Sequence, residues 1–257
     1  MDKYILGYSD VGFSSVFSGG SWDSNLPLTL LNNPLLTARA HSTTTTATID
    51  MTVDGEEIEV IGICKHNMTG GTYQIIGYSD SLGGTIAYDS GALPLTTPYD
   101  ELFTKTIVHA CDAPYSVGFW RIILTDASNP DGFIKVGRIF MGKRLHHDCN
   151  MQYGLSTVVS DGSSKIIDSD SGIETYITNP KLRGANFSMA LQTISQGDTF
   201  TRLSIENGLT KAMLFELDPS NVRGGLYSFI GRSQSLSPLN FPSFQANNFN
   251  FGLVEII

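Results

Sequence analysis

The sequence is short of charge and of long apolar runs, and each shortage removes a class of protein. Only 16% of its 257 residues are charged, against about 25% in an average soluble domain. Ser, Thr, Asn and Gly replace the missing charges, which suits β-sheet faces, turns and surfaces buried against other subunits. No apolar run approaches the ~20 residues that cross a bilayer, so we expect no membrane insertion.

Basic residues are scarcer than acidic ones. The chain has 16 Lys and Arg against 25 Asp and Glu, which gives a net charge of −9. The densest basic segment is Lys143-Arg144, followed by His146 and His147. Proteins that bind nucleic acid present a basic stripe that displaces counterions from phosphates. We therefore predict no nucleic-acid partner.

Cysteine is also rare. Cys64, Cys111 and Cys149 are an odd set without a CxxC pair, and this argues against a disulfide framework. The segment Met1–Gly7 lacks the apolar stretch of a signal peptide. We expect a chain that is made in a reducing cytosol and keeps its thiols free.

Helical periodicity is nearly absent, and period-two alternation takes its place. The helix candidates are 98–103, a turn around 25–31 and, as an alternative to a strand, 198–207. Strands are indicated where apolar and polar residues alternate or apolar runs end in turn formers, at 47–53, 58–64, 72–78, 85–88, 119–124 and 133–141. The run 58–64 is apolar throughout and predicts a strand covered on both sides.

The turn formers between these runs predict how the strands connect. Asp54-Gly55 indicates a hairpin turn flanked by Glu56 and Glu57. The segment 126–132 separates the strands 119–124 and 133–141, which we predict as a pair. Strands at this spacing are typical of an antiparallel β-sandwich or jelly roll. The predicted fold class is therefore all-β, with little helix.

We predict three parts of the chain. Residues 1–29 form an N-terminal extension that serves as an assembly arm, 30–145 form the β-sandwich, and 146–257 form a second β-rich region with assembly contacts. Residues 145–152 and 160–164 indicate a linker or crossing loop. The strands of the second region are expected at 172–177, 183–193, 211–217, 225–230 and 248–257.

The chain ends in an apolar strand preceded by a long segment rich in Pro and Asn. Residues 233–249 indicate a long ordered loop, which in compact domains is usually functional or interfacial. An exposed strand like 248–257 would aggregate, so it must pair either inside this chain's sheet or against a neighbouring subunit. Phe249 and Phe251 are candidate contacts with a partner or ligand.

Histidine and cysteine recur two residues apart, in the pairs Cys64/His66, His109/Cys111 and His147/Cys149. Residues i and i+2 of a strand share a face, so each pair offers two ligands to a zinc ion. The spacing is not that of common zinc sites, and ordinary buried thiols and surface imidazoles are the favoured interpretation. A Cys–His nucleophile needs a thiolate stabilised by imidazolium, and Cys64 lies in an apolar run instead. We predict no metal and no cofactor.

No catalytic motif is present, and we predict that the chain is not an enzyme. A glycosidase needs two carboxylates across a groove, but the pair beside Asp54-Gly55 is typical of a solvated turn. A calcium ion bound by Asp161, Asp168 and Asp170 stays open as an alternative, although the remainder of an EF-hand loop is missing. The aromatic residues point to binding instead. Trp120 lies in an apolar strand and is expected in the core. Trp22 lies in a polar loop and is expected to contact a partner subunit or a ligand.

A succession of segments resembles uncharacterised tail proteins of tailed bacteriophages and prophages. The segments are 30–40, 60–68, 73–80, 88–91, 119–122 and 132–142. The resemblance is good over residues 30–145 and weak beyond them. It implies a galactose-binding-like (discoidin-like) jelly roll and a place near the tail tip or baseplate. It carries no catalytic role over to His66 or Asn67, and sugar binding in such jelly rolls resides in variable loops.

Two functions follow from these features. The first is a structural protein of a virion tail, assembled in the host cytoplasm, which forms a homo-oligomeric ring and contacts tail-tube and receptor-binding proteins. The alternative is a carbohydrate-binding module of a tail fibre that engages a host surface glycan. An enzyme, either a glycosidase or a metal-dependent hydrolase, is the third reading and the least favoured.

Overall fold

The structure is a computed structural model that describes residues 4–95, 105–146, 155–167, 174–191, 194–217, 219, 227–235, 240–243 and 246–256. Within these ranges, only the backbone is described for residues 189–191, 194–196, 240–243 and 246–249. No helix in the described ranges is long and apolar enough to cross a membrane.

The described residues form antiparallel strands, one α-helix and two short 3₁₀ helices, Gly12–Ser14 and Leu28–Asn32. The strands of the first half are β1 Ile5–Tyr8, β2 Val16–Ser18, β3 Ala40–His41, β4 Thr46–Thr52, β5 Ile58–His66, β6 Thr72–Tyr78, β7 Ile86–Asp89, β8 Leu93–Pro94, β9 Lys105–Tyr115, β10 Phe119–Thr125, β11 Lys135–Val136 and β12 Arg138–Arg144. Those of the second half are β13 Ser156–Asp161, β14 Ser164–Ile167, β15 Glu174–Ile177, β16 Lys181–Leu191, β17 Met213–Glu216, β18 Ser228–Ser233, β19 Asn240–Ser243 and β20 Ala246–Glu255, and the helix is α1 Ile194–Asn207.

The all-β class predicted from the sequence is confirmed, and so is a sandwich in the first half. One sheet has six strands in the order β2-β4-β10-β6-β7, with β8 also paired to β6. It faces the β9-β5-β12 part of a ten-stranded sheet, and the side chains between them form the first core. Every residue of β5 is buried, as the continuous apolar run predicts. Trp120 is fully buried there, also as predicted.

Two predicted connections are wrong. The turn at Asp54-Gly55 does not close a hairpin, because β4 pairs with β2 and β10 whereas β5 pairs with β9 and β12. The strands on either side of 126–132 are likewise not a pair, since β10 and β12 lie in opposite sheets. Turn residues specify a reversal of the chain, but they do not specify whether the next strand joins the same sheet or crosses to the facing one.

The ten-stranded sheet runs through both halves of the chain, in the order β13-β16-β20-β18-β17-β1-β12-β5-β9 with β19 also paired to β20. The N-terminal strand β1 lies inside it, hydrogen-bonded to β12 on one side and β17 on the other. The division at 1–29, 30–145 and 146–257 stays a prediction, but one sheet crosses both of its boundaries.

Glycines allow this sheet to curl tightly. A Cβ on Gly7 would lie 2.7 Å from Val60 Cγ1, and a Cβ on Gly62 would lie 2.8 Å from both Leu214 Cδ atoms. Only glycine fits such close approaches. The curl brings β18 against β9. It also encloses a third core, made of Ile5, Leu36, Val60, Cys64, Phe140, Ala212, Leu214 and Ile230.

The second half is β-rich as predicted, with two corrections and two alternatives decided. Residues 198–207 form the helix that the sequence left open as an alternative, because α1 spans Ile194–Asn207. Residues 160–164 are not a linker, since they end β13 and begin β14. The segment 233–249 includes β19, which pairs with β20. The C-terminal strand β20 is paired inside the chain with β16 and β18, so it needs no neighbouring subunit.

The other helix predictions have different outcomes. The turn predicted around 25–31 is confirmed as the 3₁₀ helix Leu28–Asn32. The candidate helix at 98–103 and most of the predicted linker 145–152 lie outside the described residues.

Candidate functional site

A polar groove lies on the second half of the ten-stranded sheet. Its volume is about 350 Å³, which is within the range of small-ligand sites. Besides Gly252, Phe187 and Phe251, it is lined by six polar side chains, those of Ser156, Asn186, Ser188, Gln234, Ser235 and Asn250. All of these side chains are uncharged, and all donate and accept hydrogen bonds.

Strand alternation explains why these residues meet. Along β16, Asn186 and Ser188 alternate with Phe187, and along β20, Asn250 and Gly252 alternate with Phe251. The two phenylalanines are buried in the second core, which is covered by α1, so their neighbours face the opposite side of the sheet. The register sets Asn186 opposite Gly252 and Ser188 opposite Asn250. The groove is therefore the polar face of a strand pair whose other face is aromatic.

The groove is ordered by its own hydrogen bonds. Ser188 Oγ donates to Asn250 Oδ1 at 2.6 Å, and the backbone N–H of Gln234 donates to the Gly252 carbonyl at 2.9 Å. Gly252 keeps the floor open, because a Cβ there would lie 2.7 Å from Asn186 Oδ1 and 3.2 Å from Gln234 Oε1. No histidine, carboxylate, lysine or arginine is among the lining residues. The serines therefore have no base within the groove, and its chemistry is that of hydrogen-bonded binding.

Trp22 is half-buried and packs against the first core. Its Nε1–H donates to the Gly19 carbonyl at 2.9 Å, and its backbone forms an isolated bridge with Ser42. These contacts give the residue a structural role within the chain. Its role as a partner or ligand contact stays a prediction.

Phe251 is only 4% exposed. Its ring packs on Phe187 with 5.5 Å between centroids, inside the second core. The residue also lines the polar groove, and its role as a partner or ligand contact stays a prediction. The backbone of Phe249 pairs with Met189, and its side chain lies outside what the structure describes.

The Cys64/His66 pair does not form a metal site with other described residues. Lys65 between them has a φ of +56°, and the register shifts between Cys64 and His66. Cys64 lies in the third core, where burial raises its thiol pKa to about 12. His66 accepts a hydrogen bond from the Met68 N–H at Nδ1, and burial lowers its pKa to about 3. The described residues contain no group of three potential metal ligands.

His109 and Cys111 belong to an aromatic cluster between the two sheets. The Tyr88 hydroxyl is hydrogen-bonded to His109 Nε2, and the Tyr88 ring packs against Tyr115 and Trp120 at 4.8 and 6.0 Å. Burial lowers the pKa of His109 and raises that of Cys111 to about 12. This histidine stays neutral and this thiol stays protonated, which is the opposite of an activated Cys–His pair.

The remaining sequence candidates are dispersed. His146 Nε2 contacts Glu59 Oε1 at 2.5 Å. Glu56 and Glu57 are exposed beside the turn at Asp54-Gly55. Asp161 accepts a hydrogen bond from the Ser163 N–H at 2.9 Å. His147, Cys149, Asp168 and Asp170 lie outside the described residues.

Sequence reasoning missed the groove completely. The signal for it is the alternation of Asn or Ser with Phe in two separate strands, at Asn186-Phe187-Ser188 and Asn250-Phe251. Either strand alone resembles any amphipathic strand. The groove exists only because β20 pairs with β16 in one particular register.

Comparisons with known proteins show only distant likenesses. No family model matches the chain, and the search of curated proteins found no match. The family 32 carbohydrate-binding module of NanJ from C. perfringens, in complex with galactose, is 14% identical, covering 54% of this chain and 100% of that chain with a TM-score of 0.41. The family 32 carbohydrate-binding module of EndoD from Streptococcus pneumoniae is 13% identical, covering 52% and 99% with a TM-score of 0.39.

A third solved structure is a family 89 glycoside hydrolase from Clostridium perfringens. It is 17% identical, and the match covers 52% of this chain but only 14% of that chain, with a TM-score of 0.42. These three structures are of carbohydrate-binding modules and of a glycoside hydrolase, and not of phage tail proteins. Likenesses this distant carry no argument about what this chain binds.

Proposed function

We propose that this chain is a carbohydrate-binding module whose polar groove binds a neutral glycan. The observation that carries the proposal is a groove whose polar side chains are all uncharged amides and hydroxyls. Each sugar hydroxyl both donates and accepts a hydrogen bond, and Asn, Gln and Ser offer both kinds of group. A groove without charge has no means of attracting an ionic ligand in preference to a neutral one.

The expected affinity is low. A hydrogen bond exchanged against water contributes only about 0.5–1.5 kcal/mol. The two aromatic residues of the lining, Phe187 and Phe251, have their rings buried in the second core, so a sugar has no exposed ring on which to stack. A dissociation constant of about 1 mM is expected for one site. Since no ionisable side chain lines the groove, binding will be insensitive to salt and to pH near neutrality.

The experiment is a titration of the full chain with neutral oligosaccharides and their sulfated counterparts, followed by NMR chemical shifts. We expect saturable shifts with a neutral ligand. We also expect about a fivefold to tenfold loss of affinity in Asn186→Ala and in Asn250→Ala, because each removes ligand hydrogen bonds. Asn25→Ala is the matched control, since this exposed asparagine lies outside the groove.

A second variant fills the groove without removing a hydrogen-bonding group. Gly252→Ala places a methyl group between Asn186 and Gln234, so it is expected to displace their side-chain amides and weaken binding while the chain stays folded. Gly70→Ala is its control, because a Cβ there meets nothing within 4 Å. Failure of every neutral glycan to bind would refute the function, and binding that survives all three groove variants would refute the site.

The second candidate function is a structural protein of a phage tail tip or baseplate, present in the virion as a homo-oligomeric ring that contacts tail-tube and receptor-binding proteins. The observation that favours assembly is the exposed apolar surface of β13, β14 and β15, which includes Val159, Ile167 and Tyr176. The C-terminal strand no longer supports this function, because it is paired inside the chain. Antibodies raised against the chain should label the tails of intact particles, and unlabelled tails would contradict this role.

A further inference from the structure

A two-stranded ribbon extends from one edge of the ten-stranded sheet. Strand β13 pairs antiparallel with β16, with Asp161 opposite Lys181. Strand β14 pairs antiparallel with β15, with Ser164 opposite Ile177. The β14–β15 half lies beyond the large sheet, as a two-stranded sheet of its own. All of its described residues are exposed. Such a ribbon is only marginally stable by itself.

The outer edge of β13 has no strand beside it among the described residues. β13 is the last strand of the order β13-β16-β20 and pairs only with β16. Its central valines, Val158 and Val159, are 45% and 53% exposed. Natural proteins usually protect such an edge with charge, proline or a bulge, but residues 156–160 contain no charge and no proline.

The apolar surface of this edge continues inward. A pocket of about 210 Å³ lies beside β13 and is lined by Val158, Val159, Phe215, Tyr227 and Phe229 among others. A strand that covers the edge would therefore also shield apolar side chains of the sheet. Removing this apolar surface from water would stabilise such a contact.

The edge is complementary to itself. Two antiparallel copies related by a twofold axis perpendicular to the sheet keep each residue on its own face. The axis therefore passes midway between the two copies of one residue. With the axis at Val158, the register sets Val158 opposite its own copy, Thr157 opposite Val159, and Ser156 opposite Ser160. Asp161 falls outside this run, so no like charges meet within it.

We propose that the chain forms a twofold dimer in which β13 of one copy pairs antiparallel with β13 of a second copy, centred on Val158. The two sheets then become one continuous sheet, and both free edges are satisfied at once. This contact closes on itself and yields a dimer. Asn186 and Asn250 lie outside this contact, and of the groove residues only Ser156 lies in the pairing strand.

The first test measures the mass of the full chain in solution by analytical ultracentrifugation over a range of concentrations. The wild-type chain is expected to dimerise. Val158→Lys sets two like charges opposite each other across the axis, and should weaken the dimer at least about tenfold. Val16→Lys is the matched control, because Val16 is an exposed valine in another edge strand, β2. Circular dichroism verifies that both variants stay folded.

The second test uses the self-facing position directly. Val158→Glu alone should also dissociate, whereas an equal mixture of Val158→Lys and Val158→Glu should restore a heterodimer. In a Cys149→Ser background, Val158→Cys should form a symmetric disulfide, because facing residues of antiparallel strands have Cα atoms about 4.5–5.5 Å apart. Val16→Cys should not cross-link.

Three results would overturn the proposal. These are a wild-type chain that stays monomeric at its highest soluble concentration, a dimer that Val158→Lys leaves unchanged, and a Lys/Glu mixture that stays monomeric. Loss of glycan binding in Asn186→Ala or Asn250→Ala would bear on none of them, because neither residue lies in β13.

Discussion

At the scale of single residues, the second half contains a buried ion pair between β16 and β20. Arg183 Nη2 lies 2.7 Å from Glu255 Oε1, and these two side chains are 6% and 3% exposed. The Arg183 Nε and backbone N–H also donate to Glu255 Oε2. The guanidinium carbon lies 5.5 Å from the centre of the Phe229 ring. Removing one charge of such a pair leaves the other buried without compensation.

Glu255→Gln is therefore expected to lower the free energy of unfolding by about 3 kcal/mol, measured by urea denaturation. Glu174→Gln is the matched control. Glu174 forms an ion pair with Lys165 at 2.5 Å, but both side chains are more than 40% exposed, so the loss should stay below about 1 kcal/mol. Equal losses in the two variants would contradict a special role for the buried pair.

His66 makes stability depend on pH. Burial lowers its pKa to about 3, whereas an unfolded histidine titrates near 6.5. Below pH 6.5 the unfolded chain therefore binds a proton at His66 that the folded chain does not bind. The contribution of His66 to the free energy of unfolding is therefore complete above pH 6.5. It decreases by about 1.4 kcal/mol per pH unit as the pH falls toward 3.

His66→Asn should reduce the pH dependence of the unfolding free energy between pH 6 and 4 by about one bound proton. Urea denaturation at several pH values measures it. His146→Asn is the control, since the side chain of His146 is 68% exposed. An unchanged slope in His66→Asn would show that this imidazole accepts a proton in the folded chain.

At the scale of elements, most strands could be predicted from the sequence and their partners could not. β6 was predicted at its observed bounds, Thr72–Tyr78, because side-chain alternation is a local signal. The pairing of β4 with β10 instead of β5 depends on which sheet each strand joins. Helix α1 was predicted only as an alternative, because nothing local distinguishes a short helix that covers an aromatic sheet face from a strand.

The curl of β5 toward β17 depends on Gly62. A Cβ at this position would lie 2.8 Å from both terminal carbons of Leu214, a side chain that is fully buried and has little room to move. Gly62→Ala should lower the free energy of unfolding by about 1–3 kcal/mol through overpacking. Gly70→Ala, with nothing within 4 Å, should change it by less than about 0.5 kcal/mol. Two equally stable variants would mean that the sheet relaxes without cost.

At the scale of the whole molecule, the decisive feature is one sheet shared by both halves. β1 joins β12, from the predicted sandwich, to β17, from the predicted second region. The third core draws Val60 and Phe140 from one half and Leu214 and Ile230 from the other. Neither half completes this core alone.

A fragment that ends at residue 146 is therefore expected not to fold cooperatively, because β1 would be an uncovered edge and half of the third core would face water. Thermal unfolding followed by circular dichroism measures this, with the full chain as the control, in which we expect one cooperative transition. A sharp transition in the fragment would support the division at residue 146 that the sequence predicts.

The sequence by itself determined the class of the fold and most strand positions, because alternation, apolar runs and turn formers act over a few neighbouring residues. It also showed the shortage of basic charge and the absence of catalytic motifs. Only the tertiary structure decided that Phe251 faces a core while Asn250 faces a groove, and that the C-terminal strand is paired within the chain. It also decided that β13 has no second neighbour among the described strands. Each of these depends on which strands become neighbours, and that choice is made by contacts between residues far apart in the chain.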